Sequence, residues 1–167
     1  MEGDGGRWTK DMLYIIGIVQ QKKLKRLWLI SGDCYAADNQ VYKRIKDTIS
    51  KGVGEIPFVE FSETKELGRV NKVDPLGITY LRIRGMWGIS NPVNVYDYLN
   101  IDYNEQANLQ VIAIMTTKKY CSFPQSDLDA LTKISAETTN LQIRDVQIKS
   151  PNNPANLIDA KLITYQN

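Results

Sequence analysis

Hydrophobic and polar positions alternate along the chain in blocks that predict a mixed α/β protein. Met12 to Val19 (MLYIIGIV) is apolar and β-branched, a pattern that fits a strand or the end of a buried helix. Lys22 to Arg26 (KKLKR) interrupts it as a polar turn or a strand entry. Leu27 to Ser31 (LWLIS) reads as a strand buried on both faces, ending at Gly32-Asp33, where the carboxyl edge of a sheet would lie. From Asn39 to Lys51 the apolar residues Val41, Tyr42, Ile45 and Ile49 recur at helical spacing, with lysine and arginine between them. Asp38 or Asn39 is the N-cap candidate, and Gly52 and Gly54 provide the stop. With Ile56 to Phe61 (IPFVEF) as the next strand, this predicts a strand–helix–strand unit with a right-handed parallel crossover.

Ser62 to Leu76 is polar, contains Gly68 and Asp74-Pro75, and predicts a long loop. Ile78 to Arg84 (ITYLRIR) predicts a strand with Ile78, Tyr80, Arg82 and Arg84 on one face and Thr79, Leu81 and Ile83 on the other. Val93 to Leu99 predicts a short helix, Leu109 to Met115 a strand, and Ser126 to Ile134 a helix capped by Ser126. Leu141 to Ile148 alternates as a strand should, and Leu157 to Tyr165 predicts a final edge strand after the break at Pro151 to Pro154. The fold class expected is α/β, a single mixed sheet with flanking helices, of about six strands and three helices. One domain over residues 1–167 is expected, with residues 1–10 a flexible terminus.

Composition changes this picture by exclusion. The 167 residues contain no histidine, which removes Ser-His-Asp and Cys-His nucleophile activation and every histidine-containing zinc site. Two cysteines, Cys34 and Cys121, cannot make a four-thiolate site. No apolar run reaches membrane-spanning length, and the acidic, glycine-rich start does not resemble a secretory signal. A cytoplasmic protein with reduced thiols is expected. The net charge of +2 hides an asymmetry: residues 22–84 carry thirteen Lys/Arg against eight Asp/Glu. A local excess of this kind steers polyanions, although a solvated face has the same composition.

Gly3-Asp4-Gly5-Gly6 precedes any strand, so it lacks the strand–loop–helix context of a phosphate-binding loop. Glu63-Thr64-Lys65 is a better candidate. Metal-dependent nucleases place an acid on one strand and a Glu-x-Lys pair on its neighbour, so that two carboxylates hold Mg²⁺ while the lysine orients the attacking water. Glu63 and Lys65 are the catalytic candidates, and Asp33 with Glu63 the metal candidates; Asp159-Ala160-Lys161 is a second, similar tripeptide. Between Arg69 and Trp87 (RVNKVDPLGITYLRIRGMW) lie the candidates for DNA contact. Arg69 and Lys72 sit in the expected loop, while Arg82 and Arg84 project from one strand face. Two guanidiniums so placed grip successive phosphates or read guanine, Asn71 suits adenine, and Tyr80 or Trp87 suits stacking. The competing structural account pairs Arg82 and Arg84 with acids on neighbouring strands and buries Trp87 in the core. Cys34 is a weak nucleophile candidate, because Asp33 and Asp38 oppose thiolate formation.

Leu27 to Ile49 (LWLISGDCYAADNQVYKRIKDTI), with the later DPLGITYLRIRGMW, resembles the distal part of type II restriction endonucleases over residues 24–92. The resemblance implies a restriction-endonuclease-like fold in which a strand and helix follow a metal-binding hairpin and a basic region then reads DNA. It implies a Mg²⁺-dependent, site-specific deoxyribonuclease acting on double-stranded DNA, with no membrane partner and with a homodimer as a candidate assembly. One departure stands out. The paired carboxylates and Glu-x-Lys of that family normally come earlier, and nothing in Met1 to Gln21 supplies them. Either Glu63-Thr64-Lys65 is the active site in an unusual order, or the chain is a fragment or a non-catalytic DNA-binding relative. Two rival readings remain: a non-enzymatic assembly protein of viral or mobile-element type recruiting partners through an edge strand at Leu157–Tyr165, and a small-molecule enzyme with its crevice near Gly32-Asp33.

Overall fold

The computed structural model describes residues 12–55, 60–61, 67–71, 76, 78–85 and 92–167. In chain order the first half holds β1 (Leu13–Gln20), β2 (Lys23–Ser31), the single turn α1 (Gly32–Tyr35), α2 (Asn39–Gly54), β3 (Glu60–Phe61), β4 (Gly68–Asn71) and β5 (Leu81–Ile83). The second half holds a 3-10 turn (Asn94–Leu99), β6 (Gln110–Thr116), the single turn α3 (Thr117–Tyr120), α4 (Gln125–Glu137), β7 (Leu141–Lys149) and β8 (Leu157–Gln166). The chain divides into two compact units, Met1–Asp38 with Asn91–Asn167, and Asn39–Ser90.

The larger unit is built on a five-stranded mixed sheet in the order β1-β2-β6-β8-β7, flanked by helices, as the sequence led us to expect. β1 and β2 form an antiparallel hairpin, which settles Met12 to Val19 as a strand. Its two-residue turn is made by Gln21 and Lys22, both with positive φ (48° and 63°), the conformation that matches the twist of paired strands. Lys23 to Arg26 therefore begins β2 rather than a loop. The buried face carries Trp28 and Ile30 on β2 against Ile112 and Ile114 of the parallel neighbour β6. Leu162 and Ala160 on β8 and Ile148 on β7 continue this core, and Tyr96 and Cys34 close it.

Several expectations need correction. β2 does not cross over to Ile56–Phe61: residues 56–59 lie outside the described residues, and β3 pairs with β4 in another sheet. The parallel partner of β2 is β6. β8 is not an edge strand, because it hydrogen-bonds β6 on one side and β7 on the other; the edges are β1 and β7. Ser126 does not cap its helix, which starts at Gln125 behind Pro124, and its hydroxyl contacts the Asp127 carboxylate instead. Residues 39–51 are helical as expected, but the helix runs through Gly52 to Gly54.

The smaller unit holds α2 and an antiparallel sheet in the order β3-β4-β5. Arg69 and Asn71 lie on β4, not in a loop, and only Leu81–Ile83 of the expected 78–84 strand is paired. Gly68 is required where the helix meets this sheet: a Cβ there would stand 2.6 Å from Val53 Cγ1. Gly68→Ala should destabilise the protein by roughly 1–3 kcal/mol through overpacking, read as a lower urea midpoint at unchanged slope.

Candidate nucleic-acid interface

In the smaller unit, the β4–β5 register sets Arg69 directly opposite Arg82. Opposed residues share a face of an antiparallel pair, their Cβ atoms roughly 5 Å apart. Asn71 follows Arg69 on that face, and Arg84 follows Arg82 just beyond the strand. Arg82 and Arg84 are both exposed. Arg69 is half-buried, its guanidinium carbon 4.9 Å from the centre of the Tyr80 ring. This contact holds one cation in place, and the buried Nε of Arg69 has no hydrogen-bond partner. Opposed like charges destabilise a strand pair. An oxyanion laid across them turns the same pair into a two-pronged donor. Lys72 and Trp87 lie outside the described residues, as do the catalytic candidates Glu63 and Lys65.

In the larger unit, Asp33 sits on α1 just past the carboxyl end of β2, beside Thr116 at the carboxyl end of β6. The Thr116 hydroxyl donates to Asp33 Oδ2, and it accepts from the backbone N–H of Lys119 at 3.2 Å. Asp33 Oδ1 is buried without a hydrogen-bond partner. The Asp33 residue lines an open groove of about 680 Å³ together with Thr117, Lys118, Lys119 and Asn152. Asn152 is fixed there by its amide donating to the Asp38 carboxylate at 2.5 Å and its carbonyl accepting from the Asp38 N–H at 2.6 Å. An orphaned carboxylate oxygen suits a hard cation, which prefers oxygen ligands. Asp33 thus fits as one ligand for Mg²⁺. Among the described residues no three acidic or thiol groups gather into a metal set.

The second tripeptide, Asp159-Ala160-Lys161, is committed elsewhere. Lys161 Nζ lies 2.7 Å from Asp145 Oδ1 across the β7–β8 ladder and 5.3 Å from the centre of the Tyr120 ring. Asp159 accepts from Gln147 Nε2 at 3.4 Å. Cys34 is no nucleophile: burial pushes its thiol pKa far up, and the Asp33 charge pushes it further. Tyr96, whose hydroxyl is raised mainly by burial, donates to the Cys34 carbonyl at 3.0 Å. Iodoacetamide should therefore label the exposed Cys121 of the native protein and spare Cys34, with both labelled after unfolding; mass spectrometry of native and denatured samples checks this.

Alternation in ITYLRIR was enough to find the exposed arginines. Thr116, which fixes Asp33, was missed, because only the parallel pairing of β2 with β6 brings together two residues so far apart in sequence.

The family model for NgoPII restriction endonuclease matches residues 4–149. The type II restriction enzyme NgoPII of Neisseria gonorrhoeae is 46% identical over 164 residues, covering 97% of this chain and 57% of that protein. The chain thus spans a little over half the length of this curated relative. No solved structure matches.

Proposed function

Because the chain belongs to the NgoPII restriction endonuclease family, we propose that it engages double-stranded DNA through Arg69, Asn71, Lys72, Arg82, Arg84 and Trp87 and serves its site-specific cleavage. The observation that carries this reading is the opposed Arg69–Arg82 pair beside Tyr80, on a face whose Arg82 and Arg84 are open to water. β8 is interior, so Leu157–Tyr165 is not the recruiting edge on which the assembly-protein reading drew.

Type II restriction endonucleases generally use Mg²⁺. When bound, that ion supplies a polarised phosphate and an activated water. Asp33 and Glu63 are the carboxylates proposed to hold it, and Lys65 the residue proposed to orient the attacking water. Glu63→Ala should then leave duplex affinity within about twofold while lowering plasmid nicking by a factor of about 100 or more. Unchanged nicking would remove the catalytic assignment and leave the binding surface standing.

No helix among the described residues is long and apolar enough to cross a membrane. The reading places the protein in the cytoplasm beside its DNA, as a homodimer. The edge strand β1, with Leu13, Ile15 and Val19 exposed, is the surface that favours self-association; sedimentation equilibrium reads the mass. The decisive experiment is plasmid binding and nicking with and without Mg²⁺ across a salt series. Binding that weakens steeply with salt is expected, because each neutralised phosphate releases counterions. A flat salt dependence would overturn the proposal.

A further inference from the structure

The sixteen residues of α2 carry Lys43, Arg44, Lys46 and Lys51 against a single acid, Asp47. Val41, Ile45, Ile49 and Val53 recur on one side of this helix, and Val53 packs where Gly68 leaves room on β4. Gln40, Lys43, Arg44, Asp47, Thr48 and Lys51 line a shallow depression on the opposite side. In the larger unit, by contrast, Arg26 pairs closely with Glu105 and Lys161 with Asp145. Among the described residues Lys43, Arg44 and Lys46 make no ion pair, and Lys51 reaches Glu55 only at 3.8 Å in solvent. An exposed pair of that kind neutralises little.

We propose that the outer face of α2 is a second contact surface for the phosphate backbone of duplex DNA, carried by Lys43, Arg44 and Lys51. It rests on the DNA-binding reading above and adds a surface that reading does not use. Charge selects the occupant: uncompensated cations along one helical stripe suit a regular polyanion. Arg44 and Lys51 lie about 10 Å apart along the axis. A DNA strand advances about 3.4 Å per phosphate, so the stripe spans about three steps. The surface is separate from the arginine face. Gly68 and Val70 share the side of β4 that meets α2, whereas Arg69 and Asn71 share the other. The two surfaces therefore hold different stretches of backbone, and their contributions add.

The test uses the full chain and a 30-base-pair duplex titrated across a salt series, with wild type, Arg82→Ala, the triple variant Lys43→Gln/Arg44→Gln/Lys51→Gln, and the triple combined with Arg82→Ala. The triple variant should lower the slope of log affinity against log salt by roughly 2 to 3, additively with Arg82→Ala. Lys133→Gln, on α4 of the larger unit and outside the stripe, should change nothing. Asp47→Asn, which deletes the one acid on the stripe, should raise affinity by about threefold and guards against a variant that merely misfolds. An unchanged slope in the triple variant, with wild-type binding intact, overturns this inference alone. No salt-dependent binding by the wild type overturns the DNA-binding reading itself. Loss of binding to phosphatidylserine vesicles by the triple variant at unchanged duplex affinity makes α2 a lipid-facing helix and overturns the inference as well.

Discussion

Truncating Trp28 to alanine should destabilise the protein by about 3–5 kcal/mol, among the largest effects available to a single substitution. Trp28 is fully buried. It stacks on Tyr96 with ring centres 6.2 Å apart and planes 18° apart, and it stands beside Ile112 in the β2–β6 pairing. The indole is clamped between a strand ladder and the 3-10 turn, so its surroundings cannot collapse into the space it vacates. Its Nε1 has no hydrogen-bond partner. Trp28→Phe sacrifices no hydrogen bond and should therefore cost well under half as much as the alanine change. Urea denaturation of the three proteins checks both the size and the order. Because Asp33 follows directly on β2, in α1, the alanine variant should also lose the Thr116–Asp33 contact at lower denaturant than wild type.

How far the sequence carried the fold depended on the range of each interaction. A strand whose burial alternates, such as Gln110–Thr116, was legible because side-chain parity is local. The β1–β2 hairpin was not, since Gln21-Lys22 carries none of the Asn-Gly or Asp-Gly chemistry that usually marks such a turn. Strand order was out of reach. β8 looked like an edge because it comes last, yet its register with β6 buries Leu162 and Ala160 completely. The expected crossover from β2 failed for a related reason: residues 39–90 form their own unit, and the parallel partner arrives only at Gln110. For the candidate site, the exposure of Arg82 and Arg84 followed from alternation, while the opposition of Arg69 to Arg82 required the pairing of β4 with β5. Charge counting placed the cationic excess in residues 22–84 but did not single out the stripe on α2, where helical spacing and the lack of acidic partners matter together.

Arg82→Ala should weaken duplex binding by about 1–3 kcal/mol, roughly tenfold or more, and the double variant Arg69→Ala/Arg82→Ala by more than either alone. Stability should change little, because Arg82 is exposed and exposed substitutions move stability by small amounts. Lower affinity at a nearly unchanged Tm is therefore the expected signature, and it separates loss of a contact from loss of the fold. Arg69→Ala should differ. Its guanidinium packs over Tyr80, so the substitution removes apolar contact as well as charge and lowers Tm by a few degrees. Arg82→Lys keeps the charge but not the fork, and should retain the salt slope while giving up part of the affinity. Fluorescence anisotropy with a labelled duplex, alongside calorimetric melting of each variant, provides both readouts. If Arg82→Ala bound as tightly as wild type, the arginine face would be ordinary solvated surface, and the DNA contact would have to be sought on another part of the chain.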